Sequence, residues 1–271
     1  MSRRQKSVEQ LREDALSALE EDPSRAVQLA REALNRQPDA ESFYVCGVAL
    51  CESGELEEGL EALRMAVQLD GEHVDAWVAL GRELFDGCEF EDARGALLAA
   101  LRLDPHHPEA LYYRACLRER RGDLAGAARD YQAAALVAPE DFPVPIPLDD
   151  ETVEKLADEV IAAMHPSLQR YLENVHILVD EVPQAELLEQ FDPPARPTEV
   201  LGCFAGHSLG ERSTTDPWSS LPATIVLFRR NLSRIAHDRE ELLDELRITL
   251  LHEIGHFLGL DEDDLERRGL D

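Results

Sequence analysis

Apolar and small residues recur every 34 positions through the first half of the chain. The repeating columns are Phe43, Trp77 and Leu111; Gly47, Gly81 and Ala115; Gly59, Ala93 and Ala127; and Ala66, Ala100 and Ala134. Gly71, Pro105 and Pro139 close the three units in the same register. One period held in five columns indicates stacked helical pairs.

The residue types in these columns suit two antiparallel helices per unit. Small residues at the Gly81 and Ala93 columns allow the helices to approach closely, and the large residue at the Trp77 column fills the gap between units. Pro105 ends the second helix because proline has no amide hydrogen. Residues 75–105, DAWVALGRELFDGCEFEDARGALLAALRLDP, resemble the tetratricopeptide repeat.

The resemblance covers residues 7–140 and gives about three and a half helical pairs. The weaker first copy has Ala26, Ala33 and Pro38 at the matching columns, one residue out of phase. By analogy, the array is an all-α solenoid whose concave surface binds a peptide or a partner protein. The alternative is that the array only scaffolds and solubilises its neighbour.

Proline interrupts the chain after the last repeat. The four positions are Pro139, Pro143, Pro145 and Pro147. Each favours extended geometry and biases the preceding residue away from helix. We therefore predict a semi-rigid linker over residues 141–150 and a second domain over residues 151–271.

The second half mixes helical and strand patterns, which predicts a small α+β domain. The expected elements are a helix over 151–164, strands over 175–179, 199–206 and 223–228, and loops over 181–198 and 207–220. A last helix is predicted to begin after Asp238, which with Glu241 forms a capping-box pattern, and to end at Gly259. Its apolar face holds Leu242, Leu243, Leu246, Leu250, Ile254, Phe257 and Leu258.

Charge and cysteine content narrow the partners and the compartment. Lys and Arg number 27 against 56 Asp and Glu, a net charge of -29, which disfavours nucleic acid and membranes and attracts basic peptides. The alternative is that the acidic balance only keeps the protein soluble. The chain has no secretory signal, no bilayer-length apolar run and five cysteines without CxxC spacing, so we expect a cytoplasmic location. Cys203 is expected to be a plain strand residue.

The last helix carries an HExxH motif in LLHEIGHFLGLDEDDL, residues 250–265. His252 and His256 are four residues apart, so both imidazoles leave one helix face and suit two corners of a tetrahedral zinc shell. Glu253 is rotated by about 100° from its neighbour in a helix. It is therefore placed to act as the general base on a zinc-activated water. The alternative is that the two histidines are satisfied helix residues without a metal.

The third ligand must lie close by, because 15 residues follow His256. Glu262 occupies the third position after Gly259 and is our first candidate, as in patterns where the glycine turns the chain towards the metal. Asp261 and Asp263 flank it and remain alternatives. A water molecule or an upstream residue such as His207 is a further possibility.

The whole second half resembles the minimal zincin-like metallopeptidase family of bacteria. The matching segments are NVHILVDEVP (174–183), LGCFAGHSL (201–209), LPATIVLFRRNL (221–232) and the terminal HEIGHFLGLDEDDLERRGL. The family pattern HExxHxxGxxD implies His252 and His256 as Zn²⁺ ligands and Glu253 as the base. Glu262 departs from the family's Asp or Ser, and no methionine turn follows the motif.

The resemblance also implies an extended substrate along an edge strand beside the motif helix. We predict that Ala223–Phe228 is that strand, with an internal strand as the alternative, and that loop 207–220 with Trp218 borders the cleft. The leading interpretation is a metallopeptidase whose repeats recruit a protein. The alternatives are a non-catalytic repeat adaptor with a degenerate metal-binding domain, and a metal-free domain with HExxH in its core.

Overall fold

The structure, a computed structural model, describes residues 6–166, 169, 175–191, 194–206, 223–260, 264 and 267. The chain divides into two compact units, Met1–Phe142 and Pro143–Asp271. The first unit is all-α and the second is α+β, as the sequence predicts. No helix in the described residues is both long enough and apolar enough to cross a bilayer.

The first unit is a series of helical pairs. Its helices are α1 (Val8–Ser17), α2 (Pro23–Arg36), α3 (Ala40–Glu52), α4 (Leu56–Leu69), α5 (Val74–Asp86), α6 (Phe90–Leu103), α7 (Pro108–Arg120) and α8 (Leu124–Val137). Each odd-numbered helix packs against the even-numbered helix that follows it. The weak first copy folds as a full pair, so this part of the chain holds more helix than the predicted three and a half pairs.

Small residues bring the paired helices together, as predicted. A Cβ atom added at Gly81 would lie 2.7 Å from the side chain of Leu97, and one added at Gly47 would lie 2.7 Å from that of Leu63. Both leucines are fully buried. A larger residue at Gly47 or Gly81 would therefore push its two helices apart.

The second unit is built around a three-stranded sheet. Its elements are α9 (Asp150–Ala163), β1 (Val175–Asp180), α10 (Ala185–Leu188), β2 (Gly202–Ala205), β3 (Ala223–Phe228), α11 (Arg229–Ile235) and α12 (Arg239–Leu258). The strand order is β1-β3-β2, with β1 parallel and β2 antiparallel to β3. Residues 181–198, predicted as loop, contain the short helix α10, and the second strand is shorter than the predicted 199–206.

The core of this unit lies between the sheet and two helices. Ile225 and Leu227 of β3 are fully buried, and they share one hydrophobic cluster with residues of α9 and α12. From α9 the cluster takes Val153, Leu156, Ala157 and Val160, and from α12 it takes Leu242, Leu246, Leu250 and Ile254. Because this face of α12 is buried in the core, side chains on its other faces remain available to form a site.

The proline segment joins this core instead of crossing solvent. Ile146 and Leu148 pack against the same hydrophobic cluster. The Ile146 amide donates to the Ser233 carbonyl at 2.9 Å, and Arg229 Nη1 donates to the Leu148 carbonyl at 2.7 Å. The second half of the predicted linker is therefore attached to the C-terminal unit.

Candidate functional site

Helix α12 is fixed at its start by Asp238. The Asp238 carboxylate accepts hydrogen bonds from the amides of Glu240 and Glu241, which otherwise have no partner within the helix. The carboxylate of Glu241 accepts from the amide of His237 at 2.8 Å. In a capping box the Glu241 carboxylate would accept from the amide of Asp238. Here it accepts from the residue before, His237, so this half of the predicted capping box is not formed.

The end of α12 also follows the prediction. Gly259 has a φ angle of +87°, the left-handed conformation that glycine adopts without strain. The amide of Leu260 donates to the carbonyl of Gly255 at 3.0 Å, which closes the last turn. The HExxH residues therefore lie on the last two turns of a helix held at both ends.

His252 and His256 converge on each other. Their ring centroids are 4.7 Å apart and the ring planes cross at 81°. The two Nε2 atoms are 3.0 Å apart. Because two facing lone pairs repel, this distance requires either a proton shared between the nitrogens or a cation in contact with both.

A backbone carbonyl orients one of the rings. Nδ1 of His256 lies 3.3 Å from the carbonyl oxygen of Leu260. A carbonyl only accepts, so Nδ1 carries the hydrogen and Nε2 of the neutral ring keeps its lone pair. This outer contact is the one that metal-binding histidines usually make.

The histidine pair fits a zinc ion. Two nitrogen ligands at 2.0–2.1 Å on a tetrahedral ion are about 3.3 Å apart, and the Nε2 atoms of His252 and His256 are 3.0 Å apart. A small rotation of either ring would therefore bring the two Nε2 atoms to the separation that zinc ligands have. The donor set of two imidazoles is one that zinc prefers.

Glu253 is buried beside the histidines, with 6% of its surface exposed. Burial, and then the negative charge of Glu253 and of Asp180, raise the pKa of the Cys203 thiol to about 11. Cys203 is therefore a neutral thiol near pH 7, not an activated nucleophile. This agrees with the prediction that it is an ordinary strand residue.

The three motif residues open into a cleft of about 250 Å³. Helix α12 forms its floor with His252, Glu253 and His256. The other side chains that line it are mostly apolar: Leu187, Gln190, Phe191, Cys203 and Phe204. Such a cleft holds an apolar group next to the polar motif residues.

Strand β2 borders this cleft, and the prediction for β3 is wrong. Ala223–Phe228 pairs with β1 on one side and β2 on the other, so it is the central strand and cannot accept a substrate. Strand β2 pairs only with β3 within the described residues. It also lies on α12, since a Cβ at Gly202 would meet Thr249 at 2.9 Å and the rings of Phe204 and Phe257 are 5.7 Å apart.

Several predicted site residues lie outside the described residues. They are Glu262, Asp261, Asp263, His207 and Trp218. Among the residues that are described, no three His, Cys, Asp or Glu side chains are grouped to hold a metal. The third ligand therefore stays a prediction.

The cleft wall formed by Leu187 and Phe191 was not predicted from the sequence. Leu187 and Phe191 come from the stretch that was predicted as acidic loop. Their spacing of four residues is a helical signal, and both are apolar in an otherwise acidic segment. This apolar pair indicates that the segment packs against another part of the protein.

Two family profiles match the chain. The tetratricopeptide repeat profile matches residues 14–73 and 78–141, and the zincin-like metallopeptidase profile matches residues 172–270. A comparison with curated proteins finds no match.

Solved structures match about half of the chain. A crystal structure of MamA is 20% identical with a TM-score of 0.43, covering 50% of this chain and 80% of its own. A tetratricopeptide repeat protein from Parabacteroides merdae is 20% identical with a TM-score of 0.41, covering 49% and 54%. MamA from Desulfovibrio magneticus RS-1 is 18% identical with a TM-score of 0.42, covering 57% and 84%. Along the chain, a segment similar to tetratricopeptide repeats is therefore followed by a segment similar to zincin-like metallopeptidases.

Proposed function

We propose that the C-terminal unit is a zinc-dependent peptide hydrolase and that the repeats bind a protein or peptide partner. The observation that carries the proposal is the convergence of the His252 and His256 Nε2 atoms at 3.0 Å, in one cleft with Glu253. The family match supports the same activity. The third ligand in this proposal is Glu262.

The residues divide the chemistry between them. His252 and His256 would hold the ion, and the Leu260 carbonyl keeps the His256 ring in the tautomer that a metal ligand needs. When bound, zinc would supply Lewis acidity and lower the pKa of a water molecule towards about 7. The Glu253 carboxylate would accept the proton of that water and return it to the departing amine.

The cleft and the strand beside it favour an extended peptide as the substrate. Within the described residues the outer edge of β2 has no partner strand, and such an edge can pair with the backbone of a peptide. The apolar walls at Leu187, Phe191 and Phe204 favour a peptide with an apolar side chain next to the scissile bond. A folded protein would need an exposed extended segment to enter.

Charge and thiol content extend the proposal to partners and compartment. The net charge of -29 favours basic partners. The five cysteines, all within the described residues, form no disulfide. We therefore include a reducing, cytoplasmic location in the proposal.

Digestion of a mixed peptide library by the purified full-length chain tests the activity. Mass spectrometry of the products should show cleavage beside apolar residues. Cleavage should stop after zinc is removed with a chelator and return when zinc is restored. About one bound zinc per chain without any cleavage would contradict hydrolysis and favour the adaptor role.

A further inference from the structure

One groove in the repeat unit has an apolar floor. It has a volume of about 210 Å³ and is lined by side chains from α1, α3, α5 and α7 and by Leu19, which follows α1. The apolar members are Leu16, Leu19, Tyr44, Val48, Val78 and Ala79. Leu16 is 36% exposed, whereas Val78 is buried, so the floor is deep and its rim is open. A cavity of this kind accepts one apolar side chain.

The basic group in the groove is already neutralised. Arg82 donates to Glu109 at 3.0 Å and to its neighbour Glu83 at 2.9 Å. Glu83 is buried and Glu109 is half-buried. One guanidinium therefore faces two carboxylates, and Arg82 adds no unpaired positive group to the groove.

Acidic residues also recur at equivalent positions of the repeats, and two of them, Asp75 and Glu109, line the groove. Glu41, Asp75 and Glu109 stand 34 residues apart, at equivalent positions near the starts of α3, α5 and α7. The side chain of Asp75 is 65% exposed and that of Glu41 is 47% exposed. Their neighbours are His107, 3.7 Å from Asp75, and His73, 3.1 Å from Glu41.

We infer that this groove binds an extended segment in which an apolar residue is followed or preceded closely by lysine or arginine. The apolar side chain enters the floor, and the cation reaches Asp75 on the rim. Adjacent residues of an extended chain are about 3.3–3.6 Å apart. Asp75 lines the same groove as the apolar residues, so a basic residue one or two positions from the apolar one can reach it. The inference rests on the proposed role of the repeats as a binding array and is independent of the hydrolase site.

Fluorescence anisotropy with the full-length Glu253→Gln chain tests this binding without cleavage. Three labelled peptides are compared: one with leucine beside arginine, one with serine in place of the leucine, and one with glutamate in place of the arginine. The first should bind tightest, by about fivefold or more, and its affinity should fall between about 50 and 300 mM salt.

Two variants with the same charge change locate the site. Asp75→Lys should weaken the leucine–arginine peptide by about fivefold or more. Asp92→Lys, also an exposed acid in a first helical turn but outside this groove, should weaken it less than about twofold. Leu16→Ser, at an exposed position, should reduce binding as the serine peptide does.

Equal binding of the three peptides, equal effects of the two lysine variants, or no saturable binding by any peptide would each overturn the inference. Circular dichroism of every variant confirms that it is folded. Cleavage of peptides by the wild-type chain is measured separately. If the wild-type chain cleaves no peptide, the hydrolase proposal fails but the binding result is unaffected.

Discussion

The two units differ in the sequence distance over which their contacts form. In the repeat unit each helix packs mainly against its neighbours along the chain, such as α3 against α4 and α5 against α6. In the C-terminal unit, Ile225 of β3 pairs with Ile177 of β1 and with Phe204 of β2. A local period is therefore enough to define the first unit, whereas pairings between distant segments define the second.

The same difference applies to the two candidate sites. The groove of the repeats is made of equivalent positions in successive units, so each unit adds a similar part. The cleft proposed as the hydrolase site joins one helix to β2 and to α10, which come from separate parts of the chain. A substitution in the repeats should therefore act locally, and one in the cleft should affect a single chemical step.

Replacement of Glu253 by glutamine gives the largest expected effect. The variant keeps the size and burial of the side chain but removes the base, so kcat should fall by about 10²–10⁴-fold. Zinc content should not change. Steady-state kinetics on a peptide found in the library digestion measures this. Glu245→Gln, the same change earlier in α12, is the control and should keep its activity.

Survival of cleavage in Glu253→Gln would show that another group is the base. Glu253 would then lose its proposed role as the base, whereas the structural difference between the two units would not be affected. Measured zinc content in the same sample separates loss of the base from loss of the metal.

Gly81 tests whether helix approach limits the repeat unit. Gly81→Val places a branched side chain where even a Cβ meets Leu97 at 2.7 Å. We expect a loss of about 2–3 kcal/mol in the free energy of unfolding. Gly95→Ala is the control, because a Cβ there has no neighbour within 4 Å, and it should stabilise by up to about 1 kcal/mol. Urea unfolding followed by circular dichroism measures both.

A Gly81→Val chain as stable as wild type would show that the paired helices can move apart. The rigid column of small residues would then not determine the repeat. Zinc content should stay the same in this variant, because the metal residues lie in the other unit.

The parts of the structure that could be predicted from the sequence differ between the two units in the same way. The helical pairs could be predicted because Gly81 and Trp77 recur in fixed columns, and α12 could be predicted because Asp238 and Gly259 mark its ends. Strand order could not be predicted, since an apolar run such as Ala223–Phe228 suits a central strand as well as an edge strand. The cleft wall at Phe191 was missed because it depends on where the segment between β1 and β2 packs in three dimensions.

Removal of the cap on α12 should have a smaller effect. Asp238→Ala leaves the amides of Glu240 and Glu241 without their acceptor and should cost about 1 kcal/mol of unfolding free energy. Thermal unfolding measures the loss. Glu240→Ala, a change at the next exposed carboxylate, should cost less. Equal losses in both would mean that charge, and not capping, stabilises the start of the helix.

Alkaline pH should produce an effect confined to the range above pH 9, through Cys203. Its folded pKa of about 11 lies above the ordinary value of 9.0, so the folded state retains the proton. The stabilisation is therefore complete below pH 9 and is lost as the pH rises towards 11. The stability difference between the metal-free wild type and Cys203→Ala should shrink over this range. A difference that grew or stayed constant would contradict the buried neutral thiol.

Zinc binding by histidine variants tests the central claim most directly. Equilibrium dialysis with elemental analysis should find about one tightly bound zinc per wild-type chain, as two imidazoles and one carboxylate would hold. His252→Ala and His256→Ala should each lose it, whereas His237→Ala, an exposed histidine just before α12, should keep it. Equal zinc content in all four proteins would contradict the site.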